Sequence, residues 1–413
     1  MKKDFSPVRG TFDYLPGEVE VREAMREKIL KCYRRNGFMQ IQTPVFESLH
    51  FLDNSDGGDN LKLMFKTIKR GRDLDLKKPN LTEADVTEEG LRYDLTVPLV
   101  RMFCNNREAL PLPFKAIQLD FAFRAEKPQR GRNRQFIQCD VDVIGDPTEN
   151  AEIEVLLTVL EALDDIGLKN LVVKINDRRI LNALILNSGF DAVDISSVCI
   201  SLDKLDKIEV KGVREELLGK KFAADKVEKL LKAIEDIKKG GLSVITNYGV
   251  TKEVADSVKK IIDIVSSLNK NAAIVYEISI IRGQGYYTGT VFEVYADGMR
   301  GAVAGGGRYD NMVETMAGVK QPAAGISIGF EPITILAREL GLNIGGGKKI
   351  ALLYDNNGDF LKVLEEKKKF VKEGYDCTVY KTPRNVKALL EKLKNCGVTS
   401  YKFFGKDEVK AIN

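Results

Sequence analysis

Arg124 and Glu126 close one apolar run, and Gln138 and Asp142 stand on the next. Phe121 to Arg124 read as the end of a strand. Lys127 to Asn133 read as a turn containing a proline, a glycine and three cations. The run from Phe136 to Gly145 reads as a second strand, and strand alternation puts Gln138 and Asp142 on one face. A hairpin with a basic tip and a face carrying an arginine, an amide and an acid suits a zwitterion bound beside a nucleotide. Taken alone, a basic hairpin is more often a solvated surface feature. Other stretches carry chemistry of the same kind. Arg92 to Pro98 contains Asp94, Leu95 and Thr96. Arg282 precedes Gly-Gln-Gly, where backbone can approach a ligand closely, and Tyr286 and Tyr287 follow. Gly305 to Asp310 reads as a backbone-permissive turn.

These residues need a scaffold, and the chain is long enough to build one. Its 413 residues allow two or three domains, and 44% apolar with 30% charged residues is ordinary globular composition. Residues 17–36 read as an amphipathic helix ending at Asn36-Gly37, followed by a short strand at Phe38 to Gln42. Residues 52–62 read as a loop, and Asp73 to Glu89 as a second polar excursion. A helix is expected from about Glu149 to Ile166, a strand at 171–176, and a helical, charged insertion from 177 to 268. Strands are expected at 274–281, 290–296 and 300–304, then a strand and helix over 323–340. After a glycine-rich linker at 341–347, strands at 349–354, 376–380 and 400–404 alternate with helices at 357–373 and 384–395.

Composition narrows the setting. No apolar run approaches the roughly 18–20 residues that span a bilayer, and the N-terminus has no secretory character. Six scattered cysteines without a C-x-x-C pair favour a reducing cytoplasm, and a lone histidine, His50, argues against a zinc site, so no resident metal is expected. Net charge is only +4, but residues 348–413 hold 15 Lys/Arg against 9 Asp/Glu, a net +6 that leaves −2 for the remainder. That asymmetry favours a polyanion near the C-terminal end.

Several blocks together resemble the histidyl-tRNA synthetases, a family of class II aminoacyl-tRNA synthetases. Residues 121–145 look like motif 2. Arg9 to Pro16 resembles an N-terminal signature, and the segment ending at Ile41-Gln42-Thr43-Pro44 resembles motif 1. Arg92 to Pro98 matches a substrate-binding segment, Arg282 to Glu293 the histidine signature, and Gly306 to Asp310 its companion. The resemblance implies an α+β fold: a class II antiparallel sheet flanked by helices, a helical insertion, and a C-terminal α/β domain of anticodon-binding type. The implied domains are 1–176 and 269–342 for the catalytic fold, 177–268 for the insertion and 348–413 for the C-terminal domain.

The resemblance also implies roles. Arg124 and Arg282 would be the catalytic pair, gripping the α-phosphate of ATP and the amino-acid carboxylate from two sides. Activation joins two anions, and a fixed, permanently charged, bidentate guanidinium suits that task. Asp94, Thr96 and Gln138 would lie on the substrate ammonium side, Asp142 with Tyr286 and Tyr287 around the imidazole, and Leu95 would also belong to the histidine-binding set. Glu126, Arg132 and Phe136 would serve ATP, with Phe136 on adenine and Arg132 at the terminal phosphates. ATP and Mg²⁺ are the implied cofactors; histidine, tRNA(His) and a second copy in a homodimer are the implied partners. The sequence departs from the pattern at three places. Pro332 stands where class II enzymes carry the motif 3 arginine, Gln284-Gly285 replaces Leu-Asp, and only three of five C-terminal strands are legible. Two readings follow: a histidine–tRNA ligase, or a synthetase-like paralogue such as the regulatory subunit of ATP phosphoribosyltransferase.

Overall fold

The computed structural model describes residues 4–53, 62–71, 74–281, 286–342, 344, 345, 347–355 and 359–412. In chain order its strands are β1 (Met39–Gln40), β2 (Phe46–Ser48), β3 (Lys66–Ile68), β4 (Thr87–Leu91), β5 (Phe114–Phe123), β6 (Gln135–Ile144), β7 (Leu171–Asp177) and β8 (Ala272–Tyr276). They continue as β9 (Thr290–Tyr295), β10 (Ala304–Arg308), β11 (Ala323–Gly329), β12 (Lys348–Tyr354), β13 (Tyr375–Lys381), β14 (Ser400–Phe403) and β15 (Val409–Ala411). The chain divides into two units: Ile29–Leu336, and Met1–Lys28 together with Ala337–Asn413.

The larger unit is built on an eight-stranded sheet in the order β1-β5-β6-β11-β10-β9-β7-β8. The strands from β5 through β7 pair antiparallel, whereas β1 and β8 add parallel edges. β6 explains how one sequence serves two environments. Its odd positions Ile137, Cys139, Val141 and Val143 are buried apolar groups, while its even positions Phe136, Gln138, Asp140 and Asp142 line a cavity on the other face. The helix Asn150–Ile166 packs on β6 and β11. It buries Ile153, Leu156, Val159, Leu160 and Leu163, an i, i+3, i+4 stripe, and ends at Gly167 in the left-handed conformation. From Arg178 to Leu268 the chain is helical and returns to the sheet edge at β8, parallel to β7.

Three stretches differ from expectation. Gly305 to Arg308 is not a turn; it forms the sheet-interior strand β10, and 300–303 lies outside any strand. Glycine serves close approach of neighbouring strands here, not freedom of the backbone. A Cβ on Gly306 would lie 1.9 Å from the Gly325 carbonyl oxygen, and one on Gly307 2.5 Å from that of Thr290. The polar excursion at 73–89 also contains structure: the helix Glu83–Val86 and the start of β4, the central strand of a β2-β4-β3 sheet.

In the smaller unit, β13-β12-β14-β15 form a four-stranded sheet with β15 antiparallel and the others parallel. The helices Phe360–Lys372 and Val386–Asn395 connect the parallel strands. The strand β15 was not anticipated. It is three residues long and exposed throughout, so it carries no apolar alternation.

Candidate active site

The cavity above the sheet face measures about 480 Å³. At one end stands Arg124, immediately after β5. Its Nε donates to the Tyr93 carbonyl at 2.9 Å, and its guanidinium lies 5.1 Å from the centre of the Phe136 ring. The Arg124 amide bonds the Arg134 carbonyl, and Gln129 and Arg132 exchange backbone bonds at the tip, so the hairpin stays paired beyond the strands. Arg132 is exposed there, with Nη1 3.7 Å from a Glu126 carboxylate oxygen.

The segment before the helix Thr96–Asn106 is held by Arg92, which is fully buried. Arg92 Nε donates to Phe121 O at 2.7 Å, Nη1 to Thr43 O at 2.8 Å, and Nη2 lies 2.9 Å from Asp120. This arginine places the loop and lies away from the cavity. The loop presents Asp94, whose Oδ1 accepts from Val97 N at 3.2 Å and whose Oδ2 is buried without a partner. Burial pushes its carboxyl up to about 6, against the pull of the Val97 N–H and Arg124. Thr96 lines the cavity beside it. Leu95 does not: it is fully buried, and its carbonyl accepts from Gln118 Nε2 at 2.6 Å. Its side chain belongs to the core, so the expectation that it faces substrate is corrected.

Along β6, Gln138 Nε2 donates to Ser327 Oγ at 3.1 Å, leaving Oε1 buried without a partner. Asp142 Oδ1 accepts from the Tyr309 hydroxyl at 2.6 Å, and its Oδ2 has no partner. Burial raises the Asp142 carboxyl to about 7, although the Tyr309 hydroxyl works the other way. The acid fits only because its sheet neighbour is glycine: a Cβ on Gly325 would lie 1.8 Å from Asp142 Oδ1. Tyr286 and Tyr287, both buried, meet edge to face at 4.8 Å, and Tyr286 meets Tyr309 at 6.1 Å.

Sequence reasoning missed two members of this wall. Asp140 lies buried between Gln138 and Asp142, and the alternation that selected those two selects it equally. Tyr309 supplies the hydroxyl on Asp142. Its neighbour Arg308 instead forms a bidentate pair with Glu152, at 2.8 and 2.5 Å, away from the cavity. Arg282 lies outside the described residues; Ile281 and Tyr286 both line the cavity. Pro332 also lines it, within the helix Phe330–Glu339, while Glu331 Oε2 accepts from Ile137 N at 3.0 Å.

The family model for histidyl-tRNA synthetase matches residues 10–333, which include every described residue that lines this cavity. The chain belongs to the histidyl-tRNA synthetase family. Its relatives include a histidine–tRNA ligase from Leifsonia xyli, 35% identical and covering 98% of this chain and 97% of its own. Another, from Cytophaga hutchinsonii, is 30% identical over 99% of this chain and 94% of its own. Among solved structures, a histidyl-tRNA synthetase from Nostoc sp. PCC 7120 superposes with a TM-score of 0.75 at 23% identity, covering 98% of this chain and 93% of that one. A Bacillus halodurans protein described as an ATP phosphoribosyltransferase regulatory subunit/histidyl-tRNA synthetase gives 0.76 at 18% identity, covering 98% of each. Both neighbours bear on the fold, which is the class II α+β fold expected. Family membership makes the chain an aminoacyl-tRNA ligase, a histidine–tRNA ligase that uses ATP, histidine and tRNA. The regulatory reading is less supported, since relatives from Leifsonia xyli, Tropheryma whipplei and Cytophaga hutchinsonii, at 30–37% identity, carry the ligase name. Among the described residues, no helix is long and apolar enough to cross a membrane.

Proposed function

We propose that this cavity binds histidine against β6 and ATP against the hairpin, and joins them as histidyl-adenylate. One observation carries the reading. Asp94 Oδ2, Gln138 Oε1 and Asp142 Oδ2 are three buried acceptors without partners in one cavity. Such acceptors are costly unless a ligand rich in donors fills them. Histidine brings an ammonium and an imidazole N–H. Asp94, Thr96 and Gln138 take the ammonium; Asp142, held by Tyr309, takes the ring N–H, with Tyr286 and Tyr287 walling the ring.

Arg124 then faces the substrate carboxylate and the α-phosphate, with Arg282 as its opposing partner. A carboxylate oxygen attacks the α-phosphorus, the bond to the bridging oxygen breaks, and pyrophosphate leaves. The guanidinium neutralises charge where it accumulates on the phosphorus oxygens. In the second step a ribose hydroxyl at the 3′ end of tRNA(His) attacks the acyl carbon, and AMP leaves. Phe136 stacks on adenine, while Arg132 and Glu126 attend the phosphates. Mg²⁺ would enter as the counter-ion of those phosphates and offset their charge, and Glu126 and Glu331, which line the cavity, would offer it hard oxygen donors.

We further assign residues 1–176 and 269–342 to catalysis, 177–268 to an insertion, and the basic segment 348–413 to tRNA contact. The working form is a cytoplasmic homodimer. The deciding assay is ATP–pyrophosphate exchange. Exchange that depends on histidine, and on no other amino acid, is expected; no exchange with histidine overturns the reading.

A further inference from the structure

Asp140 is the buried acid that these roles leave unassigned. It is 3% exposed, shares a face of β6 with Gln138 and Asp142, and lines the cavity. On one side it is satisfied: Gln138 donates to the Ser327 hydroxyl, which in turn bonds the Asp140 carboxyl. On the other side Oδ1 has no partner, and neither has Asp142 Oδ2. These two orphan acceptors stand two residues apart on one strand face, about 7 Å between Cα atoms. Ionised together in a buried cavity they would repel each other, with Asp94 adding a third negative charge. A single proton on the pair removes one charge and turns one orphan acceptor into a donor for the other.

The surroundings decide which acid holds that proton. Around Asp140, Asp142 comes from the same strand, Asp94 from the loop before the helix Thr96–Asn106, and Arg124 from the end of β5. Tyr33 of the N-terminal helix and Tyr309 after β10 are close enough to feel its charge. Ser327 on β11 and Gln118 on β5 stand opposite it and are neutral. Asp142 accepts a hydrogen bond from a tyrosine hydroxyl, which stabilises its anion. Asp140 faces the Asp142 charge, and burial together with that charge pushes its carboxyl well above the ordinary range, against the pull of Ser327 and Arg124.

We propose that Asp140 keeps a proton through the neutral range and acts as a positioning acid, donating to Asp142 and holding that carboxylate ionised and oriented for the substrate ring N–H. The inference rests on the reading of the cavity as a histidine site and deepens it. Specificity for the ring then depends on two unlike acids: one neutral donor and one charged acceptor.

Two variants test it. Asp140→Asn keeps a neutral donor of the same shape, and Asp140→Leu keeps the branched outline but removes the donor. In the infrared difference spectrum between wild type and Asp140→Asn at about pH 8, a protonated-carboxyl C=O band belonging to the wild type is expected. In histidine-dependent pyrophosphate exchange, Asp140→Asn should keep KM for histidine within about threefold, whereas Asp140→Leu should raise it about tenfold, the effect of one buried hydrogen bond. No wild-type band, or an Asn variant as impaired as the Leu variant, overturns the proposal. If the Leu variant fails to fold, the infrared comparison decides alone. That measurement needs no substrate, so an absence of histidine binding in every form would count against the cavity reading and leave the proton assignment to the spectrum.

Discussion

Replacing Asp94 with Asn should stabilise the ligand-free protein and abolish its response to histidine. The Asp94 carboxyl is 2% exposed, and burial moves it from an ordinary 3.8 to about 6. The folded value lies above the unfolded one, so the native chain binds more protons between them. Stability from this group is complete below about pH 4, is lost as pH rises toward about 6, and stays lost above that. A shift of about two units at 1.36 kcal/mol per unit puts the charging cost near 3 kcal/mol at pH 8. Asn keeps an oxygen for the Val97 N–H but loses the charge in that bond, which offsets on the order of 1 kcal/mol. The net gain is about 1–2 kcal/mol at pH 8, and near zero at about pH 4.5, where Asp94 is protonated in the folded chain but mostly ionised in the unfolded one, so that only about 1 kcal/mol of the charging cost remains. Urea unfolding at the two pH values, with and without saturating histidine, measures it. Wild type should gain about 2.7 kcal/mol at a hundred-fold excess over Kd, and the variant little. A variant less stable than wild type at pH 8, or one that histidine still stabilises, refutes the reasoning.

Three more outcomes are expected. Arg124→Ala should abolish histidine-dependent pyrophosphate exchange. Arg124→Lys should not restore it, because an ammonium cannot bond the Tyr93 carbonyl, cover Phe136 and offer a planar fork together; exchange within tenfold of wild type in the Lys variant counts against this role. Phe136→Ala should raise KM for ATP about tenfold by loss of a stacking face while leaving KM for histidine unchanged, and the opposite pattern would reassign the ring. Pro332→Arg should lower KM for ATP about tenfold by adding a charge-assisted contact. The position is tight, since a Cβ on Gly131 or Gly329 would lie 3.4 or 3.3 Å from the Pro332 ring, and an unchanged KM would mean that the hairpin tip fills the space where the arginine would act.

What the sequence disclosed follows from which physical signals are local. Alternation along β6 and the stripe of the helix Asn150–Ile166 are one-dimensional patterns, so the hairpin and its acidic face could be read directly. β10 could not, because a run of glycines has no side-chain period; its reason to exist lies across the sheet, where Gly325 and Thr290 approach. Arg92 and Leu95 sit in a motif that also carries Asp94, and sequence alone cannot separate the residues that hold a loop from those that face its ligand. The grouping of residues 1–28 with the C-terminal strands was equally hidden. It depends on contacts such as Lys349 Nζ to Glu20 Oε2 at 2.7 Å, between residues far apart in the chain.

The cavity also shows why selectivity of this kind draws on stability. Three carboxyls are buried against one sheet face, and each keeps an oxygen without a partner. An apolar wall of the same volume would make a more stable fold, but it would discriminate between amino acids by only the worth of a methylene or two. Unpaired buried acceptors discriminate more strongly, because a ligand lacking the matching donors leaves them desolvated and unpaid. The fold accommodates them with glycines rather than with larger strand spacing: Gly325 opens room for Asp142, and Gly306 lets β10 and β11 close up beneath it. The glycines and the acids are therefore one design. A side chain at Gly325 would displace the Asp142 carboxyl, and with it the group that distinguishes an imidazole from any other ring.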